Sequence, residues 1–320
     1  IGLVSAVLAA SPVYGQQNTV AYIQQKMEAK NITVIGYNDF GGKGDMGEAM
    51  AIQQRPDGRR ILYIPHRQTQ NCLSVVDVTR PENPILLKQF PSPGPGFTRC
   101  DTLGLNGNVL ILGNQSTGES ANNHMISEEV RKAPMGVWIL DVSDIDRIIN
   151  AKTLKDFMFS FFETSGPQTV GVHSVWFTDG EFAHLTTGAK DTNPTNPQDD
   201  QFYMIVDVRD PKNPKEAGRW WLPGTQKGDA CLPGCLPKRF VHESGYRPHN
   251  VEVFKERPDR AYVGYRDGGL IILDISGLAD VRSGKITKFT PKMISRIAEV
   301  PPFVSSGHTL HPFFDHYGAA

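Results

Sequence analysis

One pattern occurs four times in the 320-residue chain, and it narrows the fold more than any other feature. Ser74-Val75-Val76-Asp77-Val78, Val137-Trp138-Ile139-Leu140-Asp141-Val142, Tyr203-Met204-Ile205-Val206-Asp207-Val208 and Leu270-Ile271-Ile272-Leu273-Asp274-Ile275 each run apolar into an aspartate that enters a polar turn. From Asp77 to Asp141, Asp207 and Asp274 the intervals are 64, 66 and 67 residues. Self-similarity at a fixed period marks solenoids and propellers. Each copy carries the same neighbours: a short strand, a polar turn, a second strand (Ile61 to Tyr63, Val109 to Leu112, Ala261 to Val263), the Asp-bearing strand, and a fourth strand such as Ile85 to Leu87 or Glu216 to Trp220. The turns are read at Arg55 to Gly58, Asn106-Gly107, Thr178 to Gly180 and Arg257 to Asp259. Four short antiparallel strands make one blade, and a blade buries its faces only by stacking on its neighbours around an axis. Apolar runs of five or six residues fit strands covered on both faces. The fold class is therefore all-β, a β-propeller of four-stranded antiparallel blades. The repeated aspartate is expected to cap backbone amides in its turn.

These units resemble LVIVD repeats, the β-propeller repeats named for this strand, from about Asp45 to the C-terminus. The resemblance implies an exported or surface-exposed propeller. It also implies a distant similarity to the selenium-binding proteins, which include methanethiol oxidase. Val304 to Pro312 matches the opening of a further unit, so four to five blades are visible, and a six- or seven-bladed protein cut short at its C-terminus is expected.

Ile1 to Pro12 is an apolar run ending in Val13-Tyr14-Gly15-Gln16, without an initiating Met or a basic n-region. It is too short to span a membrane and reads as the remnant of a secretory signal; a buried first strand is the alternative. The expected organisation is residues 1–16 as signal, 17–44 as a lead-in with a helix from Asn18 to Asn31, and 45–320 as propeller. Export places the protein in the periplasm or outside the cell, with cell-surface association possible and no membrane span in the mature chain. Cys72, Cys100, Cys231 and Cys235 fit an oxidising compartment. Cys231 and Cys235 can close a small loop, their spacing being wrong for a redox Cys-x-x-Cys.

Aligned on their first turns, the units place His173, His249 and His308 at equivalent openings of inner strands, where unit one has Glu48 and unit two has Arg99-Cys100-Asp101-Thr102. Inner strands converge, so these side chains project toward one axial site. Three imidazoles with Glu48 nearby suit copper or iron, or zinc. Arg247 is expected to orient an anionic group, and His311 or Glu48 to move protons on a small-molecule substrate. The selenium-binding resemblance implies copper and oxidation of sulfur compounds; the similar axial histidines of carotenoid-cleaving oxygenases imply iron. Two other accounts stay open: histidines inherited with the repeat as inter-blade hydrogen bonders, and a metal-free ligand pocket. The competing function is a non-catalytic exported binding or adhesion scaffold. His66 is expected on the rim in solvent, His184 in a core strand.

A formal charge of -1, from 33 Lys+Arg and 34 Asp+Glu, without a basic run, argues against nucleic-acid partners. Phosphate-cradling glycine loops, Gly-x-Ser-x-Gly and His-Glu-x-x-His are absent. Insertions at Asn114 to Pro134, Lys190 to Asp200 and Gly224 to Gly245 exceed ordinary loop lengths and need not share a face. Trp220-Trp221 and Phe157 to Phe162 are expected to pack between blades.

Overall fold

A computed structural model describes residues 20–21, 24–25, 31–45, 47–67, 70–94, 98–116, 133–230, 245–298 and 307–314. The signal-like run, Cys231, Cys235, His124, His242 and His316 lie outside the described residues. Residues 20–21 and 24–25 are helical, within the expected helix. Among the described residues no helix is long and apolar enough to cross a membrane.

Four antiparallel sheets follow one another along the chain, each wound in sequence order. The first comprises β1 (Ala51–Gln54), β2 (Arg60–Pro65), β3 (Asn71–Asp77) and β4 (Ile85–Pro91). The second comprises β5 (Thr98–Arg99), β6 (Leu103–Asn106), β7 (Val109–Ser116), β8 (Gly136–Asp141) and β9 (Met158–Glu163). β10 (Ser174–Trp176), β11 (Phe182–Thr187), β12 (Phe202–Asp207) and β13 (Lys215–Trp220) form the third, and β14 (Pro248–Phe254), β15 (Arg257–Tyr265), β16 (Gly269–Asp274) and β17 (Lys292–Ile297) the fourth. The repeated apolar runs are β3, β8, β12 and β16, the third strand of each blade.

Three apolar cores lie between successive blades, which is what stacked blades require. Leu110, Leu112, Trp138 and Leu140 point toward the first blade and meet Ile61, Tyr63 and Val75. The alternate residues of the same strands, Ile111, Val137 and Ile139, point the other way and meet Val175, Leu185 and Met204. Tyr203 and Ile205 then meet Val251, Val263 and Ile271 of the fourth blade. Period-two alternation with both faces apolar thus builds a stack, not a single sheet facing water. Two short helices, α1 (Ile145–Asn150) and α2 (Leu278–Arg282), follow β8 and β16 and extend the outer cores through Ile145, Ile148, Leu278 and Val281. Phe157 is buried in the first core and Trp220 in the last, as packing between blades predicts.

The aspartate of each copy does the turn work expected of it. The backbone N–H of Thr79, Ser143, Arg209 and Ser276 donates to Oδ1 of Asp77, Asp141, Asp207 and Asp274, at 2.8, 3.0, 3.1 and 2.9 Å.

Two expectations are corrected, and the placement of the insertions, left open by the sequence, is resolved. Arg257 to Asp259 is not a turn: Phe254 pairs with Arg257 across a two-residue turn, and Pro258 precedes the first pairing with β16 at Arg260, so its missing N–H costs no ladder bond there. Residues 307–314 form no strand; Gly307 N–H donates to the Arg266 carbonyl, and a β-carbon on Gly264 would overlap the His308 carbonyl, so glycine permits that approach. The insertions, finally, leave on one face. Second strands end, third strands begin, fourth strands end and first strands begin at the same end of every blade, so the connections after β7, β11 and β13 all emerge there. The described parts of two of them interlock: Thr195 N–H donates to the Thr225 carbonyl and Lys227 N–H to the Asn193 carbonyl.

Candidate metal centre

That same face carries the openings of the inner strands. His173 stands just before β10 and is fixed by its N–H donating to the Thr186 carbonyl. His249 sits in β14 at a register shift between Pro248 and Asn250, with its carbonyl accepting from Thr186 Oγ1. Glu48 precedes β1, tied by its N–H to the Asp101 carbonyl of the next blade. One ligand atom from each of Glu48, His173 and His249 lies within 4.8 Å of the other two.

The hydrogen bonds around the two imidazoles fix their protons. Gln115 Oε1 accepts from Arg99, at 2.8 Å from Nη2, and lies 3.0 Å from His173 Nδ1. An atom that accepts from a guanidinium is the amide oxygen, so His173 Nδ1 must donate to it. His249 Nδ1 likewise donates to Asn250 Oδ1. Both Nε2 atoms therefore carry lone pairs, and they face each other at 2.7 Å. Glu48 Oε2 stands 3.5 Å from His173 Nε2. Two lone pairs and a carboxylate converge on one point.

A proton is poorly placed to relieve this. Burial, then the His308 and arginine neighbourhood, depresses the His249 pKa to about 3. His173 is pushed well below its usual value by burial, His249 and the guanidinium groups of Arg99, Arg247 and Arg266. Both rings are neutral at ordinary pH, the state that binds metal.

Around this point lies a ring of groups: Arg99 and Asp101, which the sequence places in the slot of unit two without a role, and Arg67 and Gln115, which it missed. Arg67 follows β2 and donates to Glu48 Oε1 at 2.6 Å. Asp101 is fully buried, 3.4 Å from Arg99 and 4.0 Å from His173 Nδ1, and burial lifts its pKa to about 6. Neither Asp101 oxygen has a hydrogen-bond partner. A disulfide joins Cys72 at the start of β3 to Cys100, between Arg99 and Asp101, and so fastens those two residues to the first blade. The signal for Arg67, Gln115 and Arg266 was a second equivalent slot, the end of the second strand, which varies in identity where the first slot repeats histidine.

The remaining expected residues fall as follows. His308 reaches the site, but its ring lies against that of His249, with centroids 3.6 Å apart, and its Nδ1 bonds Thr309 Oγ1. The compact donor set is therefore Glu48 with two histidines, not three histidines. Arg247 lines the site with its guanidinium paired to Asp200 at 3.0 Å. His311 is not at the centre: it pairs with Glu252, three residues further along β14 from His249, at 2.7 Å. His66 is not solvated on the rim but fully buried, its Nε2 2.6 Å from Ser74 Oγ, because the disulfide-bearing stretch closes over it through Cys100 N–H to the His66 carbonyl. His184 is buried in β11 beside Tyr203, as expected of a core position.

Comparison with known proteins finds one repeat family and distant structural likenesses. No curated protein matches the chain. Solved structures similar to it include the β-propeller domain of Cps50 (Swd1) from Myceliophteria thermophila, at 13% identity and a TM-score of 0.39, over 72% of this chain and 53% of that one. The WD40 domain of Neurospora crassa Pan2 is similar at 10% identity and a TM-score of 0.38, over 71% and 48%. Chaetomium thermophilum Raptor is similar at 11% identity and a TM-score of 0.40, over 82% and 17%. The chain thus spans about half the length of the first two. The LVIVD repeat family matches residues 259–281, the second and third strands of the fourth blade and the start of α2.

Proposed function

We propose that this propeller is a metal-dependent enzyme, exported to the periplasm or beyond, that acts on a small organic substrate at the axial centre. One observation carries the proposal: the 2.7 Å approach of two imidazole nitrogens that both present lone pairs, beside a carboxylate, in surroundings that disfavour a proton. A cation is the chemical complement of that arrangement. Glu48, His173 and His249 would hold it, and two histidines with one carboxylate suit Fe(II) or zinc. Such an ion supplies Lewis-acid or redox chemistry. The chain's own residues prepare the site: Gln115 and Asn250 hold the rings with Nε2 inward, Arg67 holds Glu48, and the His308 ring covers one side of His249. Oxidase, oxygenase and lyase chemistry are all compatible with this donor set. Copper and sulfur-compound oxidation, as the selenium-binding resemblance implies, form the other version of the proposal. The disulfide and the apolar N-terminal run support export.

Elemental analysis of the purified chain tests it. About one first-row transition metal per chain is expected, lost in His173→Ala and His249→Ala. A folded protein that takes up no metal on reconstitution overturns the proposal and favours a non-catalytic binding or adhesion scaffold.

A further inference from the structure

We propose that the cleft between the third and fourth blades, at the aspartate end of the strands, binds a small, largely apolar molecule through one carbonyl oxygen that accepts from His184 Nε2–H. The cleft lies at the opposite end of the strands from the metal centre, and nothing in the proposal depends on an ion.

A cavity of about 360 Å³ opens there. That is near the lower end of the range ligand pockets occupy, and at about 30 Å³ per water it has room for about a dozen waters or a ligand of similar heavy-atom count. Two blades supply its wall. His184 belongs to β11 of the third blade; Val253 and Phe254 end β14, Ile275 follows β16, and Leu278 and Ala279 belong to α2. This wall is held without a ligand. Ile275 N–H donates to the Asp259 carbonyl and Leu278 N–H to the Ile275 carbonyl. The Phe254 ring packs on Trp176 with centroids 5.3 Å apart, and Trp176 Nε1–H donates to the Val253 carbonyl, so the third blade holds the fourth blade's part of the cleft.

His184 supplies the polar group. It is 2% exposed, and on β11 it shares a face with Phe182, the face turned to the fourth blade. The Tyr203 hydroxyl is fully buried, stands 2.6 Å from His184 Nδ1 and meets no other partner among the described residues. A buried hydroxyl with a single neighbour gives its proton to that neighbour, so Nδ1 accepts and the ring's own proton sits on Nε2. Among the described residues Nε2 has no protein partner, so its N–H is the polar group that His184 offers to the cavity it lines. A buried donor requires an acceptor. Water answers poorly, because a held water takes two to four polar partners and the side chains of Val253, Phe254, Ile275 and Leu278 offer none. A carbonyl on an apolar body satisfies the N–H and covers the wall together.

The charged groups at the mouth have other occupations. Arg282 pairs with Glu181 and stands 3.7 Å from Asp179. Asp259 is paired with Arg257 and Arg260. Lys255 is exposed to water. Recognition is therefore left to the single N–H and the apolar wall.

The test is calorimetric titration of the full chain with acetophenone and with ethylbenzene, a probe of nearly the same shape that lacks the acceptor. Saturable binding of acetophenone is expected, with ethylbenzene about tenfold weaker. Ala279 is exposed at the mouth, so Ala279→Trp should block the cleft and abolish acetophenone binding while leaving the melting temperature and the metal content unchanged. His184→Phe should erase the difference between the two probes. Tyr203→Phe frees Nδ1 to hold the proton and should weaken acetophenone several-fold, with thermal melts verifying that each variant is folded. No saturable binding of acetophenone, equal affinity of the wild type for both probes, or binding unchanged in folded Ala279→Trp overturns the proposal.

Discussion

Two kinds of buried histidine occupy this molecule, and they differ in what their nitrogens meet. His184 Nδ1 meets the Tyr203 hydroxyl at 2.6 Å, and His66 uses Nε2 on Ser74 Oγ at 2.6 Å with Nδ1 beside the Asp45 backbone, so neither turns a nitrogen toward another imidazole. His173 and His249 are equally enclosed, yet each uses only its Nδ1 on a protein acceptor and turns the other nitrogen toward its twin. Burial therefore does not mark the site. What marks it is coordinating capacity that the protein directs inward and does not satisfy itself.

The sharpest way to break this contrast is metal removal. If His173 and His249 are ligands, a chelator should lower the melting temperature of the wild type, since a ligand at about a thousand times its Kd stabilises by about 4 kcal/mol. It should leave the melting temperature of His249→Ala unchanged. His184→Ala should behave oppositely, keeping its metal but losing about 2–4 kcal/mol in urea unfolding through a cavity and an unpaired Tyr203 hydroxyl. A third measurement concerns acid. The His184 pKa is lowered to about 4 by burial, below the 6.5 of an unfolded imidazole, so the unfolded chain binds more protons in that window. Stability from this residue is intact above pH 6.5 and is lost as pH falls toward 4. Asp101, raised to about 6 from 3.8, contributes the opposite slope, destabilising as pH rises through that range. The difference between wild type and His184→Phe isolates the histidine, and its slope should approach about 1.4 kcal/mol per pH unit. The smallest effect is expected on the opposite face: Asp274→Ala should cost about 1 kcal/mol by loss of its bond to Ser276 N–H, with metal content untouched.

Much of this was legible in the amino-acid order because repetition averages over local noise. The third strands, their aspartates and the blade count of the described region follow from four aligned copies. His173, His249 and Glu48 were found because equivalence between units translates directly into proximity at the axis. The misses have physical reasons. Arg67, Gln115 and Arg266 share a slot that does not repeat a single residue type, so alignment did not flag them. Cys72 and Cys100 come from different blades, 28 residues apart, and only the packing of blade one on blade two brings them together. His66 is removed from water by that same crossing. His308 reaches the centre, but stacking on His249 is a matter of ring orientation, which spacing does not encode.

The separation of duties between the two ends of the strands has a consequence for change. At one end, each repeat spends its aspartate on closing the chain, so substitutions there weaken folding and leave chemistry alone. At the other end, where the inner strands open and the long connections leave the strands, the side chains of Glu48, His173 and His249 converge. The residues that open the inner strands can therefore change without disturbing the turns that hold each blade, and an engineer can tether the protein by its aspartate end away from the candidate metal centre.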